Sequence, residues 1–108
     1  MKRKLLLLSI TLVPLFAAGQ ARAQQQIGSP KQGLALANQL CAQCHAVEKG
    51  EESSAASAPR FEAIANTPGM TAMALNVFFQ TPHRAMPNVM LTADQKSALI
   101  AYILSLKK

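Results

Sequence analysis

Both cysteines of this 108-residue chain fall within five residues, Cys41-Ala42-Gln43-Cys44-His45. That spacing constrains the fold more than any other feature. Two thiols separated by two residues sit on one turn, and the next residue places an imidazole beside them. A short chain buries little of its surface and commonly needs a disulfide, a metal or a cofactor as a staple. Four arrangements compete for this pentapeptide. A thioredoxin-like redox pair requires strands alternating with helices, and no segment reads as a convincing strand. A structural zinc site requires four protein ligands. The chain offers only Cys41, Cys44, His45 and His83, and adjacent Cys44 and His45 suit one tetrahedron poorly. A plain disulfide would close a very small loop and leave His45 without a role.

The fourth arrangement is covalent haem attachment, for which C-x-x-C-H is the known pattern. Two thiols add across the two vinyl groups of a haem and form thioether links that do not dissociate. The two intervening residues let both sulfurs reach one porphyrin edge. His45 then falls beneath the iron as proximal axial ligand. The N-terminus agrees with this choice. Lys2, Arg3 and Lys4 precede an uncharged apolar run from Leu5 to Ala18, and Ala21-Arg22-Ala23 supplies an A-x-A cleavage pattern. The run is short for a membrane-spanning helix, which needs about 20 residues, and Pro14 interrupts it; an uncleaved anchor is the alternative. An exported chain enters an oxidising compartment, where a free dithiol does not persist.

Cleavage after Ala23 changes the charge argument. The full chain carries a net +6, but removing Lys2, Arg3, Lys4 and Arg22 leaves seven basic residues against five acidic ones. Two haem propionates would bring the remaining +2 near zero. No clustered basic face is present, which argues against nucleic acid as a partner. No stable membrane insertion is expected once the signal is removed.

The rest of the chain reads as helical. Ser29-Pro30 resembles an N-cap with proline at the first helical position, and Leu34, Leu36, Ala37 and Leu40 continue a helix into Cys41. Residues 46–58 are charged, small and aperiodic, which predicts a mobile surface loop. Apolar content restarts at Phe61, Ile64 and Ala65. Thr67-Pro68 repeats the cap-plus-proline signature, with Met70, Met73, Ala74, Val77 and Phe78 at helical spacing behind it. That helix should stop near Thr81, because Pro82 disfavours helical geometry at the residue before it. Pro82 to Leu91 predicts an extended loop. Thr92-Ala93-Asp94-Gln95 is a capping-box pattern opening a last helix with a stripe of Leu99, Ile100, Ile103 and Leu106. Lys107 and Lys108 suit its C-terminal dipole. The expectation is all-α, with three or four helices.

A sixth iron ligand would separate an electron carrier from a catalyst, since a distal methionine raises the reduction potential and closes the iron to small molecules. The candidates are Met70, Met73, Met86 and Met90. Met70 and Met73 lie one turn apart on a predicted helix, where core packing is the default role. Met86 precedes Pro87, which keeps its backbone extended, and lies in a loop able to aim a side chain opposite His45. Met86 is therefore the first choice, Met90 and His83 the alternatives. Phe61, Ile64, Leu75, Phe78, Ile100 and Ile103 are candidate pocket residues. The Pro59 carbonyl is a candidate acceptor for the free ring nitrogen of His45. Arg60, Arg84 and His83 are candidate propionate partners, with solvated surface charge as their simpler role. Tyr102 is expected in the core, its hydroxyl near the surface.

With those residues in place, the chain resembles a small class I mono-haem c-type cytochrome. Gly33, then Cys41-Ala42-Gln43-Cys44-His45, Phe61-Glu62-Ala63-Ile64-Ala65, Pro82-His83-Arg84-Ala85-Met86-Pro87-Asn88 and Leu99-Ile100-Ala101-Tyr102-Ile103 follow the family order. The resemblance implies a cytochrome c fold around one haem c, with Cys41 and Cys44 as thioether positions and His45 and Met86 as axial ligands. It implies a signal peptide over 1–23, a flexible tail over 24–29 and the cytochrome domain over 30–108. Its expected work is one-electron transfer in the periplasm rather than enzymatic catalysis. Its partners would be redox proteins, with the chain acting as a free carrier or as the electron-accepting subunit of a dehydrogenase. The alternative is an open-site haem protein with peroxidase or gas-sensing activity. Two departures stand out: the aromatic residue often found four positions before the first cysteine is Ala37 here, with Leu36 a possible replacement, and the loop before Met86 is less proline-rich than usual.

Overall fold

The computed structural model describes residues 28–108; the expected signal segment and most of the expected tail lie outside the described residues. Four helices follow in order, α1 (Pro30–Leu40), α2 (Phe61–Ala65), α3 (Ala72–Gln80) and α4 (Ala93–Ser105), and no strand occurs among the described residues. The all-α expectation stands. No described helix is long and apolar enough to cross a membrane.

The frame of the molecule is the crossing of α1 with α4, and small residues set its distance. Gly33 and Ala37 are the buried residues of α1. A methyl group added at Gly33 would collide with the Ala98 carbonyl oxygen and lie 2.6 Å from Tyr102 Cβ. Ala37, fully buried, occupies the next turn of the same face. Position 37, where the resembled family often carries an aromatic residue, is thus closed to solvent with only a methyl side chain. Leu36 packs half-buried on the core instead.

Each helix end has a local cause. Pro30 starts α1, although the Ser29 side chain makes no cap bond and only its carbonyl serves, accepting from the Gly33 amide at 3.0 Å. The capping box on α4 is complete: Gln95 N–H donates to Thr92 Oγ1 at 3.2 Å, and Thr92 N–H donates to Gln95 Oε1 at 2.9 Å. α3 ends at Gln80 ahead of Pro82, as expected. Its start differs from expectation. Thr67-Pro68 forms a turn rather than a helix start, because Gly69 takes φ +77°, a left-handed conformation that no helix continues through. The cap is Thr71, whose Oγ1 accepts from Ala74 N–H at 3.1 Å. Met70 consequently lies off the helix, packed on the core, and Met73 is 70% exposed rather than a core residue.

Phe61, Leu75, Leu99, Ile103 and Leu106 fill the core, and Val47 joins them from the loop after the pentapeptide. Tyr102 corrects a second expectation. Its hydroxyl is buried and donates to the Val47 carbonyl at 2.7 Å. Burial, and then the carboxylates of Glu48 and Glu51, push its phenol pKa up. Tyr102→Phe would leave that carbonyl without a donor, at an expected cost of about 1–3 kcal/mol in denaturant unfolding. An unchanged midpoint would mean that water satisfies the carbonyl.

The C-terminus does more than complement a dipole. Lys108 N–H donates to Asn66 Oδ1 at 2.9 Å, and Asn66 Nδ2 donates to the Leu106 carbonyl at 3.3 Å. Lys107 Nζ donates to the Met70 carbonyl at 2.6 Å. The Lys108 ammonium lies 3.1 Å from Glu62 and holds that carboxyl below its usual range. These contacts fasten the end of α4 to α2 and to the turn after it.

Candidate functional site

The pentapeptide grows directly from the end of α1. Cys41 caps that helix through its N–H to the Ala37 carbonyl at 2.8 Å, and the chain winds on in one tight turn. Cys44 N–H and His45 N–H both donate to the Cys41 carbonyl, at 3.1 and 2.9 Å. The two cysteines are thereby placed one turn apart at the end of a helix that α4 already fixes. Both are half-buried and neither is in a disulfide. Burial pushes the Cys41 thiol pKa up.

His45 is oriented by a second segment. Its Nδ1 lies 2.7 Å from the Pro59 carbonyl oxygen. A carbonyl only accepts, so Nδ1 donates, and a neutral ring then keeps its free lone pair on Nε2. The Phe61 ring lies beside it, centroids 5.4 Å apart and planes tilted 55°. The loop that delivers Pro59 is irregular, as its sequence predicts, yet it is tied down repeatedly. Ala46 N–H donates to Ser53 Oγ at 2.9 Å, Ser54 Oγ to the Gln43 carbonyl at 2.6 Å, and Ala55 N–H to the Cys44 carbonyl at 3.2 Å. Phe61 N–H closes it on the Ala46 carbonyl at 2.9 Å. This loop folds back on the pentapeptide and presents one carbonyl to its histidine.

No protein-family model, curated protein or solved structure matches the chain. The character of the site rests on its own residues.

Those residues narrow the alternatives. Among the described residues no group of three or more His, Cys, Asp and Glu is arranged to hold a metal ion by itself. A zinc centre made only of protein ligands therefore lacks its cluster, and the strands of a thioredoxin-like pair are lacking among the described residues. A haem requires less of the protein: two available thiols on one turn and one histidine with a free ring nitrogen. All three groups are present and fit it.

Met86 lies half-buried in the 81–92 connection and lines a shallow pocket with Phe78, Phe79 and His83. Met90 is 89% exposed. His83 Nε2 donates to the Phe78 carbonyl at 3.0 Å, so that nitrogen has no lone pair to offer a metal. Of the candidate pocket residues, Phe61, Leu75 and Ile103 are core, Ile64 and Ile100 are half-buried, and Phe78 is 42% exposed. Along α3, Met73 and Val77 are both more than half exposed, beside the partly covered Phe78. Arg60 pairs with Glu52 at 3.3 Å and Arg84 is exposed. The serine ties and the His83–Phe78 pair had no mark in the sequence, because each joins residues whose types are ordinary for loops and helices.

Proposed function

We propose that the protein is a class I c-type cytochrome, a one-electron carrier of the periplasm with haem attached through Cys41 and Cys44. The observation that carries this reading is the His45 Nδ1 to Pro59 carbonyl bond, set beside two unbonded cysteines on one turn. A histidine whose Nδ1–H donates to a fixed carbonyl has its tautomer chosen, its ring rotation stopped and its remaining nitrogen made more basic. A histidine meant only for packing needs none of these.

Each residue then has one task. Cys41 and Cys44 would hold the porphyrin edge covalently at the end of α1. His45 Nε2 would ligate the iron, with the Met86 thioether as the second ligand. The Pro59 carbonyl fixes the orientation of the imidazole that would hold the iron. Phe61 and the half-buried aliphatic residues exclude water. When bound, the haem iron supplies reversible one-electron chemistry with no bond made to a substrate. The exposed apolar residues on α3 support the reading, since so small a domain rarely exposes neighbouring apolar side chains without something to lie against them. The surface outside the signal region is close to neutral, which gives partners modest electrostatic steering and favours recognition through apolar contact. The partner proteins would be redox donors and acceptors, met as a free carrier or within a dehydrogenase.

Met86→Ala tests the axial assignment. The oxidised wild type is expected to show the weak far-red band of methionine bound to ferric haem, and the variant to lose it. The reduced variant should bind carbon monoxide rapidly where the wild type resists it. A wild type without the band, or one that takes up carbon monoxide as fast as the variant, would point to an open-site haem protein instead.

A further inference from the structure

We infer that His83 is the positioning residue for Met86, pinning the loop that carries it to the end of α3; the inference rests on the reading of Met86 as an axial ligand. Two independent contacts converge on this side chain. Its ring stacks on Phe78 with centroids 3.8 Å apart and planes 23° from parallel. Its Nε2 donates to the Phe78 carbonyl at 3.0 Å. That carbonyl is one of the last four of α3, which no later turn of the helix can satisfy. Thr81 N–H also reaches it, at 3.1 Å, and Thr81 Oγ1 takes the Val77 carbonyl at 2.9 Å. Thr81 and His83 together close the helix end from the loop side.

The rest of the loop has no comparable polar hold, although Leu91 packs on the core at its far end. Among the described residues, His83 alone between Pro82 and Leu91 makes a hydrogen bond to the protein outside the loop. Pro82 and Pro87 have no N–H to give. Arg84, Ala85, Pro87 and Asn88 are exposed. Met86 shares its pocket with Phe78 and His83, three residues beyond the anchor. A flexible, unbranched thioether finds a fixed direction only if its backbone is held, and the His83–Phe78 pair is the polar hold available. The imidazole therefore ties its loop to the end of α3 through Nε2.

The test uses the haem-loaded full protein with His83→Ala, His83→Phe and His83→Gln. Arg84-Ala85 is a tryptic site within the loop, so its cleavage rate reports how often the loop opens. Synthetic loop peptides bearing the same substitutions correct for any change in trypsin's own preference. Losing an aromatic pair and one hydrogen bond together should speed corrected cleavage of His83→Ala by roughly tenfold to a hundredfold. His83→Phe keeps the stack and His83→Gln keeps a donor, so each should fall between. The far-red band of the oxidised protein should weaken in the same order, while the thermal midpoint of the α1–α4 frame stays near wild type. A wild type that shows the band, with cleavage and band unmoved in His83→Ala, overturns the inference and leaves the Met86 reading standing. A wild type without the band overturns both.

Discussion

Gly33→Ala is expected to destabilise the protein by roughly 2 kcal/mol or more, against the sign that helix propensity predicts. Gly33 lies within α1, and alanine there should favour the helix by about 1 kcal/mol. The opposing term is steric. The new methyl would collide with the Ala98 carbonyl oxygen and stand 2.6 Å from Tyr102 Cβ and 2.7 Å from the Ala98 carbonyl carbon. Most of these atoms are backbone, so no side chain can swing aside to make room. Forcing methylenes into a filled interior costs about 1–3 kcal/mol and sometimes more, and here two helices would have to separate. Since Tyr102 reaches Val47 from the same turn of α4, separation would also strain the anchor of the loop after His45. Denaturant unfolding gives the sign directly. A stabilised Gly33→Ala variant would mean that α1 and α4 do not approach this closely.

How far such features could be read in advance depended on how local they were. The capping box at Thr92 and Gln95 spans four residues and appears in the structure as read. So does the end of α3 before Pro82, where proline's own geometry decides. Thr67-Pro68 carried an equally clear local signal and failed, because the left-handed Gly69 turns the chain two residues later. Spacing alone puts Met73 in the core, but spacing gives a face and not what lies opposite it, and Met73 is 70% exposed. Tyr102 shows the limit more sharply. Its partner Val47 is 55 residues away in a loop that composition marks as solvated, so the buried hydroxyl had no sequence signal. Within the site, the turn at the pentapeptide and the Pro59 carbonyl beside His45 were legible because each involves few residues and one acceptor. The residue type of His83 suggests a ligand or a charge partner, whereas its stacking on Phe78 depends on where α3 ends.

The largest functional effect is expected from Cys41→Ser combined with Cys44→Ser. On the proposed reading, the two sulfurs convert a reversible ligand into part of the chain. A group tethered beside its own site acts at an effective concentration of order millimolar, whatever the dilution. An untethered haem acts at its true concentration. If the site alone held haem with a micromolar constant, the thousandfold ratio would be worth about 4 kcal/mol, close to the whole stability of a domain this small, about 5 kcal/mol. The double variant should therefore release its haem to an acid organic extraction that leaves the wild type coloured. Its unfolding temperature should fall as protein and haem are diluted together, whereas that of the wild type should not. Either single variant should resist extraction, since one thioether still tethers. Cys41 and Cys44 are half-buried and unbonded, so serine fits each place and a folding defect from crowding is not expected. His45 provides the contrast: His45→Ala would keep both tethers while removing the proximal nitrogen, so its haem should survive extraction but lose the six-coordinate spectrum. A wild type matured with the haem-attachment machinery that yields its haem to extraction would contradict covalent attachment through this pair.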